Sequence, residues 1–286
     1  MKKVGVIGGG QLARMMIPAA INLGLELRVF AEAEGSPAGL AATWVGDYRD
    51  VEQVGTFADQ VDFLTFDHEH VPTKVLTLVR DSGVVIAPSP EALTLTHDKI
   101  VMRKYLARIS VPQPRWGVIE TSVSSAATVD EVGGFPCVAK KPVGGYDGKG
   151  VRVIDSLEDI EDWIAEGPVL VEEKVPFVRE LAFVSARRNG GEWVPWLPVE
   201  TRQVNGVCSE VIAPAPEMSS DFIENANTLS RQIADEVGIV GVLAVEVFEL
   251  ADGSVLVNEL AMRPHNSGHV FTELSTTSQF EQHLRA

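Results

Sequence analysis

Asp-Gly set between two apolar runs is the strongest short-range signal for a β-hairpin. It ties residues 242–251 to residues 254–260 around Asp252-Gly253. With Asp252 and Gly253 as the two central turn residues, 251 faces 254 and, counting outward, Glu246 faces Glu259. Like charges opposed on one sheet face are destabilising, and burial raises their pKa unless a cation lies between them. Val255 and Val257 share the face of Glu259 in this register, so that face is predicted to be partly buried. Two opposed carboxylates with oxygen-only donors suit Mg2+. The plain alternative is the exposed polar face of an amphipathic hairpin. Directly after the second strand, Arg263-Pro264-His265-Asn266-Ser267-Gly268-His269 is dense in donors that can clamp a phosphate or carboxylate.

A second constrained stretch is Lys140-Lys141-Pro142-Val143-Gly144-Gly145-Tyr146-Asp147-Gly148-Lys149-Gly150, between strand-like runs at 136–139 and 151–154. Glycines let backbone N–H groups approach an anion, and Lys140 and Lys149 supply countercharge for polyphosphate. A hairpin with a solvated tip is the alternative. Residues 168–175 form a further strand, read as the edge of this small sheet, and 159–165 form a helix with Ile160, Trp163 and Ile164 on one face.

The chain opens with an apolar strand at 4–7, a glycine turn, a helix from Gln11 to Leu23 containing Pro18, and a strand at 25–30. This βαβ unit matches the dinucleotide fingerprint at Gly8-Gly9-Gly10-Gln11-Leu12-Ala13, with Glu32 where a ribose-binding acid would stand. Only two further strands follow, at 61–66 and 84–88. The expectation is therefore an α/β domain of about four parallel strands without NAD(P) chemistry. At the mouth of the third strand, Asp67-His68-Glu69-His70 faces the crevice where open α/β sheets bind ligands. Glu69 is the candidate acceptor for a substrate amine or hydroxyl, and His68 and His70 are read as solvated or structural, since two histidines alone do not make a zinc site.

Asp98 opens a helix running to about Arg108, and 111–116 is a proline-rich exit. The second half carries strands at 179–188, 192–199 and 207–214 and a helix at 221–237 with Phe222, Ile223, Ala226, Leu229, Ile233 and Val237 on its core face. A formal net charge of -16 excludes a surface made for nucleic acid or anionic membrane, so an anionic ligand must be met by local cations. Cys137 and Cys208 are expected to be reduced core residues. Without a signal-like start or a membrane-spanning run, the chain reads as cytoplasmic.

Together these motifs resemble the ATP-grasp superfamily. Gly8 to Met15, Gly144 to Gly150 and Asn258 to His269 resemble the signatures of the N5-carboxyaminoimidazole ribonucleotide synthetases within it, and Ser278 to Ala286 also fits. The resemblance implies a mixed α/β and α+β fold: an N-terminal parallel-sheet pre-ATP-grasp domain at 1–96, then an ATP-grasp domain at 97–286 of two α+β lobes, a lid at about 115–178 and a larger lobe at about 179–286. It implies ATP-dependent carboxylation of 5-aminoimidazole ribonucleotide with bicarbonate in purine synthesis, with ATP and Mg2+ (or Mn2+) as cofactors and a homodimer as the assembly. Another ATP-grasp ligase, or a nucleotide-sensing module without turnover, would share the same nucleotide residues.

Carried over by position, the resemblance gives ATP to Lys99, Lys140, Gly145, Tyr146, Asp147, Gly148, Lys149, Gly150 and Val151. Glu172, Glu173, Lys174 and Val175 should hold the adenine edge, Glu180 the ribose, and Gln203, Asn258 and Glu259 should complete the nucleotide site. Glu246 and Glu259 should hold the metal. The ribonucleotide and bicarbonate should meet Gln11, Leu12, Glu69, Tyr146, Asp147, Lys149, Arg263, His265, Asn266 and Ser267, with Tyr146, Asp147, Lys149, Arg263, His265 and Asn266 as the catalytic set. Gln203 stands where the family commonly has a histidine, and Met262 replaces a usual proline. Members of the family continue past the position of Ala286 into a β-rich segment that supplies basic residues to the substrate phosphate; either this sequence is a shortened one or that contribution is lost, and substrate affinity is what the difference bears on.

Overall fold

The computed structural model describes residues 1–81, 83–120, 125–145, 150–204 and 206–286, the side chains of residues 42 and 43 excepted. The first sheet has β1 (Lys3–Ile7), β2 (Glu26–Ala31), β3 (Ala42–Val45), β4 (Phe63–Phe66) and β5 (Val85–Ile86) in the order β3-β2-β1-β4-β5, all parallel. It thus has five strands where the sequence suggested four; β3 is only four residues long and follows a turn-rich segment. Chain order reverses between β1 and β4, and that switch point opens a crevice at their carboxyl ends. One face packs Phe30, Phe57, Phe66 and Leu76 under helices Val51–Ala58 and Thr73–Asp81. The other packs Val6, Met16 and Val29 with Phe280 of the last helix, Gln279–Arg285. Helix Gln11–Leu23 continues through Pro18 and closes on Gly24 at φ 66°, a left-handed cap that glycine takes without strain.

A four-stranded antiparallel sheet follows: β6 (Trp116–Ile119), β7 (Cys137–Lys140), β8 (Val151–Ile154) and β9 (Val169–Glu173), ordered β6-β9-β7-β8. β9 is therefore internal, not the edge the sequence suggested. Its run Val169, Leu170 and Val171 is buried on both faces, and β6, hidden behind the proline-rich exit, takes the edge. Helices Ser125–Val132 and Glu161–Glu166 cover one face around Val129, Ile160 and Trp163.

The largest sheet is antiparallel: β10 (Arg179–Arg187), β11 (Trp193–Pro195), β12 (Val199–Val204), β13 (Val207–Ile212), β14 (Gly241–Glu249) and β15 (Val255–Ala261). The stretch read as one strand at 192–199 divides into β11 and the start of β12. Helices Lys99–Arg108 and Ser220–Val237 bury one face with Leu106, Leu181, Ile233, Val245 and Val257. Ala226, Leu229 and Ile233 are in that core, with Phe222 and Val237 partly buried against it.

The β14–β15 hairpin does oppose Glu246 and Glu259, but by a different route. Leu250 N–H donates to the Ser254 carbonyl, so the loop holds three residues, with Gly253 at φ 82°. Near the turn Val247 pairs with Val257, and a bulge at Asn258 then shifts the register so that Glu246 meets Glu259. One extra loop residue and one bulge residue cancel. The bulge also corrects the face assignment: Val257 lies in the helix-covered core with Val245 and Val247, and the carboxylates lie on the opposite face. Asn258 and Glu259 both turn into the cleft.

Candidate functional site in the cleft between the sheets

A cleft of about 660 Å3 is lined by the C-terminal ends of the first sheet, the uncovered face of the small sheet and the β14–β15 hairpin. Two of its cations, Lys99 and Lys140, come from separate elements. Asp98 caps helix Lys99–Arg108 by accepting from Ile100 and Val101 N–H, which sets Lys99 in the first turn pointing at β15. Lys99 Nζ donates to Glu259. Lys140 ends β7 and donates to Glu172 Oε2 at 2.8 Å and Asn258 Oδ1 at 2.9 Å.

The two hairpin carboxylates differ. Burial raises the Glu259 carboxyl, but the charges of Lys99 and Lys140 outweigh it and leave the pKa below its ordinary value. At Glu246 the charges of Lys140 and Arg263 are outweighed: burial, then the charges of Glu259 and Glu180, push it up to about 8. A carboxyl driven toward protonation at neutral pH beside an ionised one marks where a divalent cation would restore the balance. Glu246 and Glu259 are the residues that fit one. His265 Nε2 lies 3.3 Å from Glu246 Oε1, and burial followed by the adjacent Arg263 charge lowers its imidazole to about 4, so it is neutral at pH 7.

At the other end, Arg263 grips Glu69 with two bonds, 2.5 and 3.1 Å. Burial opposes ionisation of Glu69, but the charge and hydrogen bonds of Arg263 prevail and depress its pKa. Glu180 is raised by burial and bonded to Gln203, which gives that glutamine a part in holding the Glu180 carboxyl. Phe177 and Phe248 stack at 4.7 Å and, with Val138, Val151 and Val153, form an apolar wall of which sequence reasoning singled out Val151 alone.

Most of the sequence-derived residues meet in this cleft. Leu12, Glu69, Lys99, Lys140, Gly145 and Val151 line it, as do Glu172, Glu173, Lys174, Val175, Glu180 and Gln203. Glu246, Asn258, Glu259, Arg263, His265 and Asn266 complete it. Gln11 is exposed and Gly150 half-buried, both outside the lining; Ser267 is fully buried behind His265, whose Nδ1 lies 2.9 Å from its hydroxyl. Tyr146, Asp147, Gly148 and Lys149 lie outside the described residues. Glu172 is 2% exposed, and its carboxylate is paired with Lys140 and Arg103. Both cysteines are free, but only Cys137 is a core residue; half-buried Cys208 lines the cleft. Arg103 escaped sequence reasoning altogether, although it stands four residues after Lys99 on the same helix face.

The glycine turn after β1 does not hold its N–H groups open for a dinucleotide. Asp67 accepts from Gly10 N–H and from Ala13 N–H at 3.1 Å, which fills the helix N-terminus where a pyrophosphate would bind. Glu32, the candidate ribose acid, instead accepts from Gly9 N–H at 3.2 Å and pairs with His68 Nε2 at 2.7 Å. The His68 hydrogen bond leads in lowering its pKa to about 2. His68 Nδ1 accepts from His70 N–H at 3.1 Å, so both ring nitrogens are engaged.

The fold and the cleft define the class. Residues 1–97 match the ribonucleotide synthetase preATP-grasp domain and residues 104–280 the ATP-grasp domain. The chain is 47% identical over 293 residues to the N5-carboxyaminoimidazole ribonucleotide synthase of Mycobacterium tuberculosis, covering 99% of this chain and 67% of that protein. It is 44% identical to that of Corynebacterium ammoniagenes, covering 100% and 72%. A solved N5-carboxyaminoimidazole synthase from Aspergillus clavatus, in complex with ADP and 5-aminoimidazole ribonucleotide, superposes with a TM-score of 0.89 at 31% identity, covering 100% of this chain and 76% of that one. The chain belongs to the N5-carboxyaminoimidazole ribonucleotide synthase family of ATP-grasp ligases. Among the described residues no helix is long and apolar enough to cross a membrane.

Proposed function

We propose that this cleft carboxylates 5-aminoimidazole ribonucleotide at its exocyclic amine, with bicarbonate as carbon source and ATP converted to ADP and phosphate. The observation that carries the reading is the opposed pair Glu246 and Glu259, facing Lys99 and Lys140 across one cleft that ends in the Glu69–Arg263 pair. Bicarbonate is a poor electrophile. Transfer of the γ-phosphoryl to one of its oxygens gives carboxyphosphate and ADP; attack by the amine on that carbon then expels phosphate.

The chain's own residues divide the work. Lys99 and Lys140 meet the triphosphate charge, Val138, Val151, Val153 and Phe177 receive the base, and Glu180 with Gln203 takes the ribose. Glu246, Glu259 and Asn258 are the donors for Mg2+, which when bound neutralises charge on the transferring phosphoryl group. Arg263, with His265 and Asn266 beside it, presents donors to bicarbonate and the ribonucleotide, and Glu69 accepts from the amine. Tyr146, Asp147 and Lys149 are assigned to the same step. A homodimer is the proposed assembly, checked by sedimentation, and the cytoplasm the proposed compartment.

ADP release measured with the ribonucleotide and bicarbonate omitted in turn tests the reading. Release should require both. ATP cleavage indifferent to the imidazole substrate would favour another ATP-grasp ligase, and no cleavage under any condition would favour a binding module.

A further inference from the structure

Helix Lys99–Arg108 sends two cations toward the cleft from the same face, and only Lys99 reaches it. Arg103 is fully buried behind the wall. Its guanidinium makes three bonds that converge on the site: Nε donates to Glu172 Oε1 at 2.6 Å, and the two terminal nitrogens donate to the carbonyls of Val257 at 2.7 Å and Asn258 at 2.9 Å. Those carbonyls flank the bulge that turns Asn258 and Glu259 into the cleft together. Glu172, on its other oxygen, holds Lys140.

We infer that Arg103 is a positioning residue for the nucleotide and metal site, fixing the Asn258–Glu259 bulge directly and Lys140 through Glu172. The inference rests on the assignment of Lys140, Asn258 and Glu259 to the magnesium complex of ATP. β15 ends the order of its sheet, so its outward backbone groups need partners from elsewhere, and Val257 N–H is correspondingly met by the Pro112 carbonyl at 2.8 Å. A planar fork serves three acceptors in fixed directions, and a single ammonium does not. An apolar pair of similar volume commonly stabilises a core as well as a buried ion pair does. The geometry that Arg103 imposes on both strands is what an apolar side chain could not supply.

The test is a calorimetric titration of the full chain with the magnesium complex of a non-hydrolysable ATP analogue, on wild type and Arg103→Lys, each shown folded by its melting transition. Arg103→Lys should weaken binding about 10-fold, as loss of a support behind metal ligands does, and raise the Mg2+ concentration at half-saturation. A folded variant with lowered melting temperature but unchanged analogue affinity and Mg2+ requirement overturns the inference. If Arg103→Lys does not fold, Gln113→Met carries the test. Gln113 braces the arginine by donating to its carbonyl at 3.0 Å, and its loss should give a smaller shift in the same direction; no shift overturns the inference. A wild-type chain that fails to bind the analogue breaks the functional reading itself, whereas wild-type binding with indifferent variants breaks only the role of Arg103.

Discussion

Two regions of this molecule present the same invitation to an anion and answer it differently. At the start of the chain, a glycine turn and a helix N-terminus offer backbone N–H groups, and Asp67 and Glu32 from neighbouring strands accept them. Across the cleft, Lys99 and Lys140 meet Glu259 and Asn258 at the surface of a large cavity, where a ligand can exchange with protein partners. Both sets of donors are met by the fold's own carboxylates, but Lys99 and Lys140 meet theirs along the wall of a large cavity, whereas the N–H groups of Gly9, Gly10 and Ala13 are held by Glu32 and Asp67. The fingerprint at Gly8 to Ala13 does not by itself make a dinucleotide site.

The sharpest way to break this comparison is Glu259→Gln, which removes charge from the cleft while keeping shape. ADP release should fall by at least about 100-fold, and a variant with the wild-type rate and Mg2+ dependence would contradict the paired-carboxylate site.

His283 probes the joint between the two regions. It is 7% exposed, accepts from Val242 N–H on β14 and bonds Thr65 on β4, and burial lowers its pKa to about 4. The unfolded chain, with an ordinary histidine near 6.5, takes up a proton first. This contribution is therefore complete above about pH 6.5 and is lost as pH falls toward 4, about 3 kcal/mol in all. Urea unfolding across that window should show the decline in wild type and a shallower one in His283→Gln; parallel profiles would remove His283 from the joint.

Lys140→Met should raise the KM for ATP by about 10-fold or more, the value of one charge-assisted hydrogen bond. An unchanged KM would move the phosphates elsewhere. Smallest in its effect on turnover is Asp67→Ala, which should lower stability by about 1–2 kcal/mol through loss of a helix cap and leave the KM for ATP unchanged. If it instead raised that KM as much as Lys140→Met does, the two regions would not be distinct.

Legibility followed sequence distance. The Asp252-Gly253 signal led to the opposition of Glu246 and Glu259, although a three-residue loop and the Asn258 bulge each displaced the register by one and cancelled. The bulge places Val257 on the core face, opposite to the face a regular hairpin predicts. β9 looked like an edge because its partner β6 is a short run after prolines. Arg103 gave no local signal: the three acceptors that tie it to the site lie 69, 154 and 155 residues away in sequence, and only Gln113 Oε1, at 3.5 Å, is near in sequence.

By itself the sequence determined the alternation of helix and strand, the hairpin and the residue types of a nucleotide and metal cleft, because propensity, turn chemistry and hydrophobic periodicity act within about ten residues. Only the tertiary structure decided which glycine turn is filled from within, which face of β15 is buried and which glutamate is driven toward its protonated form. Those outcomes depend on burial and on the distance between charges brought together from separate sheets, and both are properties of the packed chain.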